Sequence, residues 1–294
     1  MTIDANKENQ TARTKRIVGK VLLYAVLIIA SLLLLFPFYV MVTTSFKTFA
    51  EATGAFTFFP KEWVVDSYNE VLFTSPLGIN LPKAFLNTLI IAVPTTLVGV
   101  FVSSMSAFIF AKYKFFGRDI GFSLLLFTMM IPGAITMMPQ FLIFSQMGWT
   151  DTRLPLMIPG MFGSAMCVFF MRQYIRGIPT ELVESASLDG MGKFRTFVTI
   201  ILPLSMPALI SQFILLFIGS YNDYLGPLMY LQTRDKYTLQ IMLASFQGMS
   251  ATAGGRNVPN IMAGSVLSML PLLIIYVFTQ KFFISGIAVS GLKA

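Results

Sequence analysis

Long apolar runs separated by short polar segments make up most of this 294-residue chain. A helix needs about 20 mostly apolar residues to cross the hydrocarbon core of a bilayer, and six runs in the chain are of that length or more. The pattern predicts an all-α integral membrane protein whose six-helix transmembrane domain occupies residues 17–294. The predicted spans cover residues 17–46, 83–111, 120–147, 154–174, 206–231 and 261–284.

The segments that flank these runs differ in character. Residues 1–16 are polar, and we expect them to form a disordered arm. The apolar run that follows is longer than the roughly 7–15 residues of a signal-peptide core, so we interpret it as a retained first span. Residues 47–82 and 232–260 are predicted to form loops on the outer side, and the first of these contains enough aromatic residues to fold.

Two features of the apolar runs bear on packing. The second span carries Gly99, Ser103, Ala107 and Ala111 at intervals of four, which predicts a face for close helix packing. Every span also contains proline, which removes a backbone hydrogen bond and bends a helix. Such bends suit a bundle around an internal vestibule, but prolines are also common in membrane helices generally. The prolines are Pro37, Pro94, Pro132, Pro139, Pro159, Pro227 and Pro271.

The polar stretch of residues 176–205 cannot cross a bilayer and predicts a surface element. Pro179 is suited to the start of a helix, where its missing N–H would be unpaired in any case. Gly190 and Gly192 are expected to end this helix, because glycine adopts the left-handed conformation that closes helices. A second short helix is then predicted over residues 193–203.

Composition supports the membrane assignment and excludes several chemistries. Apolar residues make up 55 % of the chain and charged residues only 12 %, whereas about a quarter of a soluble domain is charged. Cys167 is the only cysteine and histidine is absent, which excludes an intrachain disulfide, a histidine metal site and a histidine base. The net charge of +8 does not indicate nucleic-acid binding, because the basic residues flank apolar runs.

The basic residues instead predict an orientation. The two termini, the 112–118 turn and the 172–195 loop together hold 14 lysines and arginines, against 7 on the opposite side. Under the positive-inside rule the richer side is cytoplasmic. Both termini and the 176–205 stretch are therefore expected in the cytoplasm.

A spaced motif occupies the middle of the 176–205 stretch. An acidic residue and two small ones are followed after three positions by glycine, and after nine more by an apolar end that includes proline. Its members are Glu184, Ser185, Ala186, Gly190, Ile200, Leu202 and Pro203. The spacing resembles the cytoplasmic loop of the permease subunits of bacterial ATP-binding-cassette (ABC) importers, with Ser185 in place of alanine as the only departure. An ordinary interfacial amphipathic helix is the alternative interpretation.

Four further stretches resemble the shorter permease of the maltose-transporter type of carbohydrate importer. They are Asn87-Thr88, Tyr221–Tyr224, Ala244–Gly248 and Gln280–Lys293. The resemblance implies a type I ABC importer permease fold in the bacterial plasma (inner) membrane. The implied partners are a homologous permease subunit forming a heterodimer, two ATP-binding-cassette ATPase subunits, an extracytoplasmic solute-binding protein and membrane lipid, with no nucleic acid and no cofactor or metal.

The resemblance also implies residue roles and a cargo. In such permeases the loop is a coupling helix that sits in a groove of the ATPase subunit, so ATP hydrolysis is expected on another chain. The implied coupling residues are Glu184, Ser185, Ala186, Asp189, Gly190, Ile200, Leu202 and Pro203. A binding-protein contact is implied at Gly254, Gly255, Arg256 and Asn257, although composition alone makes this a flexible loop. The implied cargo is a sugar, provisionally an oligosaccharide, with glycerol phosphate or another polyol as the alternative.

Asp223 is the only acidic residue inside a predicted span, and Tyr221, Asn222 and Tyr224 adjoin it. A charge in a bilayer is costly unless it faces a partner or water. One hypothesis is that these four residues line the substrate pathway and contact sugar hydroxyls and ring faces. The other is structural: Asn222 and Asp223 bond to neighbouring backbone at a helix break near Pro227. The residues alone leave both open.

Other function classes fit less well. A phosphate-binding loop is absent, because Phe194 follows Gly192-Lys193 where serine or threonine would bind magnesium. An intramembrane aspartyl protease would need two aspartates, and only Asp223 is available. A proton-coupled secondary transporter with Asp223 as its carrier is the principal rival from another class, but it leaves the spaced motif unexplained.

Overall fold

The computed structural model describes the backbone of residues 2–74, 78–252 and 258–291, and the side chains of residues 16–73, 78–246 and 258–280. Regular secondary structure within these ranges is entirely helical, as the apolar runs predict. Four helices are long and apolar enough to cross a membrane, and the number rises to six if each of two bent helix pairs forms one span. The all-α membrane architecture is thus confirmed.

The helices follow one another along the chain with few long connections. They are α1 (Thr2–Ser45), α2 (Phe49–Ala52), α3 (Asp66–Asn69), α4 (Leu81–Lys112), α5 (Arg118–Thr128), α6 (Gly133–Gln146), α7 (Leu154–Met161), α8 (Ala165–Arg176), α9 (Glu181–Leu188), α10 (Lys193–Thr196), α11 (Leu202–Leu204), α12 (Met206–Tyr221), α13 (Leu225–Tyr230), α14 (Leu239–Thr252) and α15 (Val258–Gly291). Residues 70–74 and 197–201 form π-helical turns, and residues 234–236 form a 3₁₀ turn.

The third predicted span is not one straight helix, which corrects the prediction over residues 120–147. Helices α5 and α6 meet at an angle of 94°. Pro132 immediately precedes α6 and has an extended backbone with ψ of 129°. Proline cannot donate a helical hydrogen bond and disfavours helical geometry in the residue before it. The local chemistry of Pro132 therefore breaks a run that hydropathy alone extends.

The fifth predicted span also ends earlier than expected. Helix α12 stops at Tyr221, and α13 begins only at Leu225, so the predicted span of residues 206–231 contains a break. At its other end α12 bends by 83° from the segment of residues 193–204. The fourth predicted span is interrupted as well, because Gly163 takes a positive φ of 101° between α7 and α8.

Two predicted irregular segments contain helix. Helix α1 begins at Thr2, so residues 2–16 are helical where we expected a disordered arm. Once a helix is nucleated by an apolar span, each added residue costs little, so polar flanks can extend it. The predicted outer loop of residues 232–260 contains α14, a 14-residue helix. Apolar residues at helical spacing, such as Leu239, Met242 and Phe246, are the sequence signal for this helix.

Helix α4 is the centre of the bundle and packs against α7, α8 and α12. The small-residue face predicted in the second span is confirmed for Gly99, Ser103 and Ala107, which are buried, and the fourth member, Ala111, is partly buried. A Cβ added to Gly99 would lie 2.5 Å from the carbonyl oxygen of Gly160 in α7. The absence of a side chain at Gly99 is therefore what permits the two helix backbones to approach.

Two clusters of buried apolar residues form the core on either side of this contact. The first joins α4 and α8 to the 176–205 stretch and includes Phe108, Met171 and Phe197. The second joins α4 and α12 to α14 and includes Ala92, Tyr221 and Phe246. Both clusters contain residues of α4. This helix consequently connects the polar stretch at one end of the bundle with the 232–246 segment at the other.

Candidate functional site

The start of the spaced motif forms a short helix with a well-defined end. Helix α9 is closed by Gly190, whose φ is +76°. The N–H of Gly190 donates to the carbonyl of Ser187 at 3.1 Å, and the N–H of Met191 donates to that of Ala186 at 2.9 Å. This pair of bonds is the Schellman arrangement that closes helices through a left-handed residue. The predicted role of Gly190 is confirmed, whereas Gly192 has a φ of −69° and precedes α10 as its N-cap.

One side of this helix–turn–helix is anchored in the membrane domain. Val183 and Ala186 of α9 are buried, and so are Phe197 and Ile201 of the following segment. Val183, Phe197 and Ile201 belong to the first core cluster, and the Phe197 ring stacks on Phe108 of α4 at a centroid distance of 5.7 Å. Movement of the loop must therefore shift side chains that are packed among the spans.

The opposite side is open and partly apolar. Glu184, Ser185, Asp189 and Gly190 are exposed. Three large apolar side chains lie exposed beside them: Leu182 (41 %), Leu188 (89 %) and Phe194 (62 %). Exposed apolar groups rimmed by polar residues are typical of surfaces that bind another protein. Of the implied coupling residues in α9 and its C-terminal turn, Ala186 therefore faces inward, and Glu184, Ser185, Asp189 and Gly190 face outward.

The second half of the motif follows a distorted helix. Residues 197–201 form a π-helical turn, and Pro203 follows it at the start of α11. Ile200 and Leu202 are partly buried against the first core cluster, and Pro203 is exposed. Ile201 is fully buried although the motif does not include it. Sequence reasoning missed Ile201, Phe197 and Val183, and their apolar character at helical spacing was the available signal.

The second group of candidate residues lies at the break between α12 and α13. The carboxylate of Asp223 accepts from the Gly226 N–H at 3.2 Å, and the amide of Asn222 donates to the Ile218 carbonyl at 3.0 Å. Both contacts are with nearby backbone, as the structural hypothesis expected. Asn222 also accepts from the Gln240 side chain at 3.1 Å. A Cβ on Gly226 would lie 2.5 Å from Asp223 Oδ2, so a side chain there would require Asp223 to shift.

The structure separates Tyr221 from its neighbours. Tyr221 is 1 % exposed and donates to the Ser268 carbonyl of α15 at 2.9 Å. Its ring packs against Phe85 and Phe217 in the second core cluster. Asn222 and Tyr224 are exposed, and Asp223 is partly buried. The four residues therefore do not share one surface, and Tyr221 is a core residue in this conformation.

A hydrogen-bonded cluster that the sequence did not predict lies at the other end of the bundle. Asp151, with a positive φ of 54°, accepts from the N–H groups of Gln232 and Thr233 at 2.9 Å each. Its carboxylate also accepts from Lys236 Nζ at 2.7 Å and from the Thr233 hydroxyl at 2.6 Å. The bonds from Lys236 and Thr233 hold the pKa of Asp151 well below its ordinary value of 3.8. We call Asp151, Thr233 and Lys236 the Asp151 clamp.

The same segment is tied to α4 by residues of the Asn87-Thr88 pair. Asn87 donates to the carbonyls of Asp235 at 2.8 Å and Tyr237 at 3.0 Å. Its own oxygen accepts from Arg153 at 2.7 Å. Thr88 accepts from the Leu239 N–H at 2.9 Å. The pair therefore secures the start of α14 against the N-terminal part of α4.

Two remaining predictions lie outside these contacts. The implied binding-protein residues Gly254, Gly255, Arg256 and Asn257 lie outside the described residues. Within the described part of the chain, His, Cys, Asp and Glu nowhere gather in groups of three that could hold a metal ion.

Comparison with known proteins identifies related families and folds. A family model described as "Binding-protein-dependent transport system inner membrane component" matches residues 99–289. The arabinooligosaccharides transport system permease protein of Bacillus subtilis is 35 % identical over 263 residues, covering 90 % of this chain and 92 % of that protein. The sn-glycerol-3-phosphate transport system permease protein of Brucella abortus is 27 % identical over 277 residues, covering 93 % and 97 %.

Two solved structures resemble the chain over most of its length. A chain from a bacterial ABC transporter involved in the import of the acidic polysaccharide alginate has a TM-score of 0.79 and 25 % identity, covering 92 % of this chain and 98 % of that one. A chain from the bacterial alginate ABC transporter in complex with an alginate pentasaccharide-bound periplasmic protein has a TM-score of 0.64 and 16 % identity, covering 90 % and 94 %. The second likeness concerns the fold alone.

Proposed function

This chain belongs to the family of binding-protein-dependent transport system inner membrane components, and we propose that it forms half of the pathway for a sugar delivered by a solute-binding protein. It is a multi-pass permease subunit of an ABC importer in the bacterial inner membrane. The other half of the pathway comes from a homologous permease subunit, and two ATPase subunits supply the energy. Hydrolysis takes place on those subunits, since this chain lacks a phosphate-binding loop.

The 176–205 loop is the ATPase-docking element, and we name it the coupling loop. The observation that carries this assignment is its two-sided construction, with Leu182, Leu188 and Phe194 exposed and Val183, Phe197 and Ile201 in the core. An ATPase subunit that grips the exposed side moves the buried side with it. The excess of basic residues on this side of the bundle supports a cytoplasmic location for the loop and both termini.

Alternating access follows from this connection. Closure of the ATPase pair on ATP draws the coupling loop along, and the packed spans respond by opening toward the outer face. The solute-binding protein then releases its sugar into the pathway, and hydrolysis restores the resting arrangement. ATP makes some of its contacts only when the two ATPase subunits are closed. Its binding therefore shifts the spans toward the state that is open to the outer face.

The substrate class rests on relatives and on the polar side chains at the α12–α13 break, where Asn222 and Tyr224 are exposed and Asp223 is partly buried. Asn222, Asp223 and Tyr224 offer amide, carboxylate and aromatic groups suited to sugar hydroxyls and ring faces. The similarity to an arabinooligosaccharide permease supports an oligosaccharide, and the similarity to a glycerol-phosphate permease keeps a phosphorylated polyol as the second candidate. Gly254, Gly255, Arg256 and Asn257 are assigned to contact with the binding protein.

The test is uptake by proteoliposomes that contain the complete complex and its binding protein. We expect uptake of a radiolabelled oligosaccharide that requires ATP inside the vesicles and persists when a protonophore collapses the proton gradient. Uptake of glycerol phosphate but of no oligosaccharide would replace the substrate class. Uptake that needs the proton gradient and is independent of ATP would contradict the proposed mechanism. It would favour a proton-coupled transporter with Asp223 as its carrier.

A further inference from the structure

A lysine at the end of α4 is bonded to the entrance of the coupling loop. Lys112 Nζ donates to the carbonyl of Ile178 and to the hydroxyl of Thr180, the latter at 3.3 Å. These contacts join residues 66 and 68 positions apart in the sequence. Lys112 is half-buried, so its ammonium is partly shielded from water. Hydrogen bonds from a charged donor are stronger than neutral ones, and partial burial strengthens them further.

Thr180 is used for this contact and not for capping α9. Threonine before a helix normally accepts a hydrogen bond from a backbone N–H of the first turn. Here Thr180 has helical φ and ψ and makes no side-chain cap bond. Its hydroxyl oxygen accepts from Lys112, while its carbonyl accepts from the N–H groups of Val183 and Glu184. The sequence thus forgoes a cap at α9 and gains a bond between α9 and α4.

A second contact joins α4 to the other half of the loop. Lys193 Nζ lies 4.8 Å from the centre of the Tyr113 ring, within the range of a cation–π interaction. Tyr113 in turn packs edge-on against Phe108, and Phe108 stacks on Phe197. The end of α4 therefore contacts the loop before α9 through Lys112 and after α9 through Lys193.

The two kinds of contact resist different movements. Apolar side chains such as Val183 and Phe197 resist being pushed into the closely packed core, but they offer no directional bond against being drawn away from it. The Lys112 bonds are directional and lengthen at once when α9 moves away from α4. A coupling loop that must transmit both a push and a pull needs both kinds.

Helix α4 carries the displacement to the opposite end of the bundle. Asn87 and Lys112 are 25 positions apart in α4, which corresponds to about 37 Å of helix at 1.5 Å per residue. Asn87 and Thr88 hold residues 235–239 at the start of α14, and we call these residues the outer segment. A pull on Lys112 is therefore applied to the same helix that fixes the outer segment.

We infer that Lys112 is a positioning residue that links the coupling loop to α4, so that withdrawal of α9 by the ATPase pulls α4 and the outer segment with it. Lys112 touches neither substrate nor nucleotide, and it acts through Ile178 and Thr180. This inference rests on the proposed docking of an ATPase at the coupling loop.

The test compares ATPase activity of the complete complex in nanodiscs, with and without the sugar-loaded binding protein. Lys112→Met keeps the apolar stem and removes the charge, Lys112→Arg keeps the charge and the donors, and Lys114→Met is the matched control. Lys114 is exposed and makes no hydrogen bond or ion pair with any residue that the structure describes. The measured quantity is the ratio of stimulated to basal hydrolysis, together with sugar transported per ATP.

We expect Lys112→Met to assemble with its partners and to hydrolyse ATP at the basal rate, while the stimulation ratio falls threefold or more. Lys112→Arg should recover at least half of the lost stimulation, and Lys114→Met should match wild type. Thr180→Val, which removes one acceptor only, should lower the ratio by about half and add nothing further in the Lys112→Met background. A merely structural role would lower assembly and basal hydrolysis together.

Full stimulation in Lys112→Met, or an arginine variant as poor as the methionine one, would overturn the inference. If Lys112→Met fails to assemble, Thr180→Val decides alone, and a wild-type ratio in that variant would overturn the inference as well. A wild-type complex whose hydrolysis the binding protein does not stimulate would overturn the proposed function, and the role of Lys112 with it. The wild-type measurement therefore distinguishes the two failures.

Discussion

Gly190 is the residue whose substitution examines the coupling loop most sharply. Its φ of +76° lies in the left-handed region, and a Cβ built on it meets no atom of the described residues within 4 Å. Substitution therefore strains the backbone without creating a clash with the described part of the chain. The effect should be confined to the end of α9, so the membrane domain should still fold.

The magnitude follows from the backbone alone. A non-glycine residue in the left-handed conformation costs about 1–2 kcal/mol, which shifts the balance between the closed and opened helix end by about 5- to 30-fold. Asparagine visits this region more readily than other residues, and β-branched residues do so least. We therefore expect function to decrease in the order Gly190→Asn, Gly190→Ala, Gly190→Val.

The assay is binding-protein-stimulated ATPase activity of the reconstituted complex, with co-purification of the ATPase subunits as a second measurement. The order of the variants separates two explanations. A conformational requirement ranks asparagine above alanine, whereas a requirement for close approach of the ATPase ranks the smaller alanine above asparagine. Alanine retaining more stimulation than asparagine, or valine behaving as wild type, would refute the backbone argument.

Substitutions at three further positions test other parts of the structure. Asp151→Asn should remove the part of the acid sensitivity that the Asp151 clamp contributes. Because the folded-state pKa of Asp151 is depressed below 3.8, its stabilisation is present above that pH and is lost as pH falls below it toward the folded-state pKa. Thermal unfolding of the purified chain between pH 5 and pH 2 should show this loss in wild type and not in the variant. Gly99→Ala should cost about 1–3 kcal/mol of stability through overpacking against Gly160 and lower the yield of folded protein in detergent, and an unchanged melting temperature would contradict the close contact. Asp223→Asn should support near-normal uptake because asparagine can still accept from the Gly226 N–H, whereas Asp223→Ala should lose about 1 kcal/mol of stability with that hydrogen bond. Complete loss of uptake in the asparagine variant would instead favour a proton-carrier role.

The long apolar runs predicted the membrane class and most span positions, because a helix that crosses the lipid must be long and apolar. Run length could not predict the 94° bend between α5 and α6, since hydropathy does not show where a proline interrupts a helix. Pro132 offered that signal, but the chain has 15 prolines and several lie inside continuous helices, such as Pro37 and Pro94.

In the candidate site, too, local features were predictable and long-range contacts were not. The motif spacing predicted a helix that ends at Gly190, because left-handed closure is a local property of glycine. The contacts of Lys112 and Asp151 were not predictable, since their partners lie 66 to 85 residues away in the sequence. Tyr221 was grouped with Asn222 and Asp223 because they adjoin in sequence, yet a helix end turns neighbouring side chains in different directions.

Cysteine cross-linking tests the central claim most directly. Ser185 is exposed on the coupling loop, whereas Val183 is buried two residues earlier; the native Cys167 is also buried and can be replaced by serine or alanine. We predict that Ser185→Cys forms a cross-link with the ATPase subunit in membranes, that ATP changes its yield, and that Val183→Cys forms none. A Ser185→Cys variant that is labelled by soluble maleimide yet never cross-links to an ATPase subunit would contradict the account.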